Sequence, residues 1–169
     1  MVRRKQKAAV LVEQVLAGDR AEAHRDARAL AIELARGVPS TRFDPMAAGV
    51  VLQSGELVYR QVPLWIRVQQ DGRWADAFSA DVLVTDQRLL CRMSSGRLTS
   101  LWWNGVVGLH IDLATEHVVV DFGDGQPVRL PGPRGARGAV VGLASVYGPD
   151  AMPRPPSPAP GRPPAPPHT

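Results

Sequence analysis

Four histidines, one cysteine, four tryptophans and a glycine-rich arginine pair are the residues on which chemistry could rest. The histidines are His24, His110, His117 and His168. His110 and His117 can lie on one outward face of a hairpin, and if Ile111 pairs with Val118, then Asp112 faces His117. An Asp–His pair is half of a general-base arrangement, but no nucleophile stands near it in the sequence. It therefore reads as a solvated cross-strand pair. Cys91 alternates in phase with Leu89 and Met93, the pattern of a small buried hydrophobe. A single cysteine excludes an intramolecular disulfide and a cysteine-based metal site. There is no Gly-x-x-x-x-Gly-Lys-[Ser/Thr] loop, no His-Glu-x-x-His and no Gly-x-Ser-x-Gly elbow. The sequence implies no catalytic residue, no cofactor and no metal.

Binding chemistry has more material. Gly132-Pro133-Arg134-Gly135-Ala136-Arg137-Gly138 leads two arginines into a helix start, where free N–H groups favour an anion. The plainer reading is a connection whose glycines ease a turn. Trp102 and Trp103 are adjacent, so in a strand one points inward and the other outward. The outward one, beside Trp65 or Trp74, either anchors a peptide or a bilayer interface or packs beneath N-terminal helices. Arg3, Arg4, Lys5 and Lys7 form a basic start, worth about 1 kcal/mol per charge near an anionic membrane. Two Pro-x-x-Pro spacings beside Arg154 and Arg162 are of a kind that aromatic grooves recognise; a solvated spacer is the plainer reading.

The charge is unevenly placed. The chain of 169 residues has a formal charge of +4. Arg3, Arg4, Lys5 and Lys7 supply four positive charges, and Asp150, Arg154 and Arg162 add one net, so residues 8–148 carry −1. That excludes a globally basic nucleic-acid-binding domain. Only five apolar residues, 8–12, follow the basic start before Glu13, too few for a secretory signal. No window approaches a membrane span. The expected setting is cytoplasmic, with the inner face of the membrane as the peripheral alternative. Arginine outnumbers lysine 18 to 2 beside 21 alanines, which reads as the codon bias of a high-GC bacterial genome.

Three kinds of element must position these residues. Residues 1–37 read as a helical pair: a first piece to about Ala17, a break or bend at Gly18, then Asp19 as N-cap with Glu22 three residues on. Ala23, Ala27, Leu30, Ala31 and Leu34 make one apolar face, and Gly37 with Pro39 ends it. From residue 50 the period becomes two, with Leu64, Ile66 and Val68, then Leu89, Cys91 and Met93, then Val107, Leu109 and Ile111, then Val118, Val120 and Phe122 on one side. Asp71-Gly72, Ser95-Gly96, residues 114–116 and Asp124-Gly125 supply turns. Seven or eight short strands between Leu57 and Leu130 predict a small antiparallel barrel or sandwich. Ala136, Val140, Leu143 and Tyr147 predict a short helix capping the sheet. Residues 149–169 hold 10 of the 16 prolines and predict a disordered tail.

Residues 82–90, Val-Leu-Val-Thr-Asp-Gln-Arg-Leu-Leu, resemble the strand–turn–strand signature of the GRAM and bacterial pleckstrin-homology (PH)-like domains, with Gly55-Glu56 opening the first strand. The likeness covers about residues 46–148. It implies an α+β fold, a PH-like barrel of about seven strands with a C-terminal capping helix. Read locally, Asp86-Gln87 form the turn, and Thr85 and Arg88 bridge to each other's backbone, a structural role. The first hairpin lacks the basic cluster of phosphoinositide-binding members: Arg60, Arg67 and Arg73 are scattered. The sum is a non-catalytic interaction module, binding a protein partner or itself. The candidate binding residues are Trp65, Trp102, Trp103, Arg134, Arg137, Arg3, Arg4, Lys5 and Lys7. Anionic membrane contact through the basic start and the Arg134–Arg137 segment is the alternative. An enzyme without a motif and a nucleic-acid regulator are weaker still.

Overall fold

The computed structural model describes the backbone of residues 2–112, 116–135, 140–142, 144 and 148, and side chains from residue 18 onward within those ranges. One helix, α1 (Val2–Arg36), is followed by a four-residue turn of helix, α2 (Pro45–Ala48), and eight strands. These are β1 (Val58–Gln70), β2 (Arg73–Trp74), β3 (Phe78–Thr85), β4 (Arg88–Met93), β5 (Leu98–Trp102), β6 (Gly108–Asp112), β7 (His117–Asp121) and β8 (Val128–Pro131). A 3₁₀ turn over Trp103–Gly105 joins β5 to β6. No helix among the described residues is long and apolar enough to cross a membrane.

The expected helical pair is one helix of 35 residues. Gly18 does not break it, and Asp19 and Glu22 stand exposed within it rather than capping a second start. A glycine inside a helix costs only about 1 kcal/mol relative to alanine, less than losing the hydrogen bonds of a broken turn. The other end follows the expectation. Gly37 has φ +65°, its N–H reaches Leu34 O at 3.1 Å, and Val38 N reaches Glu33 O at 3.2 Å. These two bonds close a Schellman motif, which needs a left-handed residue at that position.

The strands form an open antiparallel sheet in the order β5-β4-β3-β1-β8-β7-β6, with β2 also on β1. The 13-residue β1 is shared: residues 58–66 pair with β3, Arg67 and Val68 with β8, and Gln69 and Gln70 with β2. The sheet therefore folds along β1, and its inner face closes on one core. Val62, Leu64 and Ile66 of β1 meet Val82 and Val84 of β3, Leu89 and Cys91 of β4, Val118 and Val120 of β7, and Leu130 of β8 there. Asp71 and Gly72, both at positive φ, make the tight turn between β1 and β2, as an Asp-Gly pair should.

Two further segments complete the burial. Ala23, Ala27, Leu30 and Ala31 of α1 are buried, and Leu30 is inaccessible within the main core. Residues 43–52 cross the outer face as a strap. Its Val50 packs with Val58, Leu83 and Leu90, with Phe43, Ala48 and Leu52 around them. The main core takes Leu89 and Cys91 and this second cluster takes Leu90, so β4 is buried on both faces and Leu89 and Leu90 are adjacent yet both hidden. Residues 140–142 and 144 are helical; Val140 packs against the core and Val141 lies fully within it. Ala136, Leu143 and Tyr147 of the expected apolar face, and the tail, lie outside the described residues.

Candidate binding surface

The signature Thr-Asp-x-Arg builds a buried polar knot around Glu56. Arg88 Nε donates to Glu56 Oε1 and Arg88 Nη2 to Oε2, both at 2.9 Å, a two-pronged pair. The Thr85 hydroxyl donates to Glu56 Oε1 at 2.8 Å and accepts from the backbone N–H of Gln87 and Arg88. Gln53 N donates to Glu56 Oε2 at 2.7 Å. Arg88 also reaches Ser100 Oγ and Val51 O, each at 2.9 Å, and stacks 4.6 Å from the centre of the Trp102 ring. Burial pulls the Glu56 carboxyl up, but the bonds from Arg88, Gln53 and Thr85 outweigh it and hold it below the usual carboxylate range. Asp86 Oδ1 accepts Leu57 N at 2.9 Å, and the Thr85 hydroxyl closes the turn. All three Arg88 nitrogens, the Thr85 hydroxyl and Gln53 N donate to protein acceptors, so the knot fastens the strap and the start of β1 to β3–β4.

A second ion cluster docks α1. Arg60 Nε donates to Asp26 at 2.7 Å, and Arg60 Nη1 and Nη2 donate to Glu33 at 2.8 and 2.9 Å. Burial pulls the Glu33 carboxyl up, while Arg60 and the Ser40 N–H bring it below its ordinary value. Glu33, assisted by Asp26, raises Arg60 against its burial. A cleft of about 770 Å³ lies beside this cluster, lined by Arg42, Phe43, Asp44, Tyr59, Arg60 and Arg92 among others. Arg92 is turned to the strap, with Nη2 2.6 Å from Ala48 O.

The tryptophans separate. Trp103 is buried in the 3₁₀ turn, its Nε1–H donating to Thr85 O at 2.9 Å. Trp102 is half-buried over Arg88 and lines a cavity of about 600 Å³ between the two halves of the sheet. Ile66, Phe78, Cys91, Met93, Phe122 and Val128 also line that cavity, near the β1–β2, β4–β5 and β7–β8 turns. Burial pushes the Cys91 thiol up to about 12. Trp65 differs: it points outward from β1 and is 57% exposed.

Arg134 is exposed and shares a small pocket of about 270 Å³ with Asp19 and Glu22. Two carboxylates on the same pocket oppose an anion there. A Cβ on Gly135 would stand 2.6 Å from Leu130 O, so its glycine is needed for close passage of the chain. Arg3, Arg4, Lys5 and Lys7 lie in the first turns of α1, their side chains outside the described residues, as is Arg137. The expected register holds in the hairpin: Ile111 pairs with Val118 and Asp112 with His117. Both ring nitrogens of His117 lie within 3.0 Å of Arg129 Nη2. Among the described residues no cluster of His, Cys, Asp or Glu could hold a metal ion.

No family model matches the chain, and no curated protein matches it. Among solved structures it is similar to a chain described as the Vps36 N-terminal PH domain. The two share 13% identity and a TM-score of 0.40 over 59% of this chain and 83% of that one.

Alternation alone puts Trp65, Arg67 and Gln69 on one side of β1, but the partners across the ladder had to be known to complete the face. Arg67 pairs with Arg129 and Gln69 with Trp74, while Val119 pairs with Arg129 from the other side. Arg129 lies 5.7 Å from the centre of the Trp74 ring.

Proposed function

We propose that this chain is a non-catalytic interaction module, a PH-like barrel spanning about residues 46–148 that binds a protein partner through the outward face of β1. The shared, bent β1 between a β3–β4–β5 side and a β8–β7–β6 side supports the PH-like reading, as does helical chain after β8. The exposure of Trp65 carries the choice of surface. The other aromatic candidates, Trp102 and Trp103, are engaged inside the fold. An indole left in water on a flat strand face is the residue type that dominates protein interfaces when covered. The near-neutral middle of the chain favours this over attraction to an anionic membrane.

The test is Trp65→Ser. The variant should keep the wild-type thermal midpoint, because the side chain is already solvated, and lose concentration-dependent self-association or cross-linking to a cellular partner. Co-sedimentation with neutral and anionic vesicles supplies the opposing outcome. Binding to anionic vesicles that vanishes when Arg3, Arg4, Lys5 and Lys7 become glutamine would establish the membrane reading instead.

A further inference from the structure

Arg67 and Arg129 stand directly opposite each other across the β1–β8 ladder and point to the same outer face as Trp65. Like charges in that position repel, and a protein ordinarily separates them or places a carboxylate between. Among the described residues Arg67 has no ion pair, and Arg129 Nε is a buried side-chain nitrogen with no hydrogen-bond partner. The rest of Arg129 is held in place: Trp74 lies against its guanidinium, and Nη2 rests on the His117 ring. Two acids share this face: Asp121, two residues along β7 from the Val119 that pairs with Arg129, and Asp112, on β6 opposite His117. The arrangement is therefore two facing arginines, of which Arg129 is held in place with an idle inward donor, beside a half-exposed tryptophan.

We infer that Arg67 and Arg129, flanked by Trp65 and Trp74, form a site for the carboxylate of an acidic side chain on the partner polypeptide. Guanidinium forks match a carboxylate in plane and charge. The Trp65 ring beside them supplies an apolar seat, which a neighbouring residue of a polypeptide fills and a free small anion does not. Asp121 and Asp112 at the rim oppose a dianion more than a singly charged group. The inference rests on the partner reading above and names the chemistry that the same face recognises.

The experiment titrates N-acetyl-hexaglutamate amide and its hexaglutamine counterpart into the full chain, following tryptophan fluorescence at fixed ionic strength. Hexaglutamate should give a saturable change and hexaglutamine none. Arg67→Gln and Arg129→Gln should each weaken it by about tenfold. Arg28→Gln, an equal loss of charge on the exposed side of α1, should stay within about twofold. Should Arg129→Gln fail to fold, Arg67→Gln gives the same reading, since it breaks no ion pair. Equal responses to the two peptides, or an Arg28→Gln effect matching Arg67→Gln, would overturn the site. So would binding to phosphatidylserine vesicles with hexaglutamate inert. A Trp65-dependent partner that ignores both arginine variants would remove this site and leave the proposed function standing. Association that Trp65→Ser leaves unchanged, or none at all, would remove the latter.

Discussion

Glu56 is the residue on which the strap, β1 and the β3–β4 turn converge. Its carboxylate has four donors and little water, so an isosteric loss of charge leaves Arg88 buried without its counter-ion. Glu56→Gln should destabilise by about 3–5 kcal/mol, read by urea unfolding, whereas Asp44→Asn on the exposed strap should cost far less. The same group sets an acid limit. Glu56 and Glu33 both have carboxyls held below the ordinary value of 4.5 in the folded chain. The unfolded chain then binds protons first as pH falls, so their contribution is complete above that value and is lost below it. Thermal midpoints taken from about pH 7 to about pH 3 should fall steeply only in the acid limb, and Glu56→Gln should flatten that limb. Cys91 gives an opposite kind of prediction. A thiol pushed up to about 12 and 2% exposed is neither ionised nor reachable at neutral pH. A thiol reagent should leave it unmodified for as long as the protein stays folded and label it fully in denaturant.

Among the elements, α1 shows how docking outweighs local signals. Its buried face is mostly alanine and supplies little apolar area, so Leu30 and the Arg60 pairs with Asp26 and Glu33 hold it. Leu30→Ala should cost about 2–5 kcal/mol, the range for emptying a fully buried leucine site. Gly18 has open space where a Cβ would stand, and its helical backbone suits alanine. Gly18→Ala should therefore stabilise by about 0.5–1 kcal/mol, measured by urea unfolding, the reverse of what a required break would give. The strap is the element that sequence pattern concealed. Residues 43–52 have neither a helical nor a strand period, and their apolar side chains find a partner only because β3 and β4 turn Leu83 and Leu90 outward.

At the scale of the molecule, both halves of the sheet, Leu30 of α1 and Val141 share one core. No boundary runs between α1 and the strands along which one could melt alone. Far-ultraviolet circular dichroism and the near-ultraviolet signal of buried Trp103 should therefore lose their folded values at one temperature. Two separated transitions would mean that α1 is a unit of its own.

Strand number, turn positions and hairpin register were legible in the sequence because they rest on short-range rules. Period-two alternation put Leu89 and Cys91 inward, Asp71-Gly72 can be little but a tight turn, and Ile111 opposite Val118 followed from turn spacing. The apolar face of α1 followed equally from its spacing. What could not be read was which outward residues meet across strands distant in the chain. Arg67 and Arg129 are 62 positions apart, and only the fold of β1 onto β8 sets them opposite each other. Glu56 and Arg88 form a buried pair for the same reason. The fate of each tryptophan was likewise tertiary: a 3₁₀ turn and the Thr85 carbonyl drew Trp103 inside, and Arg88 took the face of Trp102. Local pattern determines which side of an element is apolar; the closing of the sheet decides which polar groups become neighbours, and in this protein those neighbours carry the candidate function.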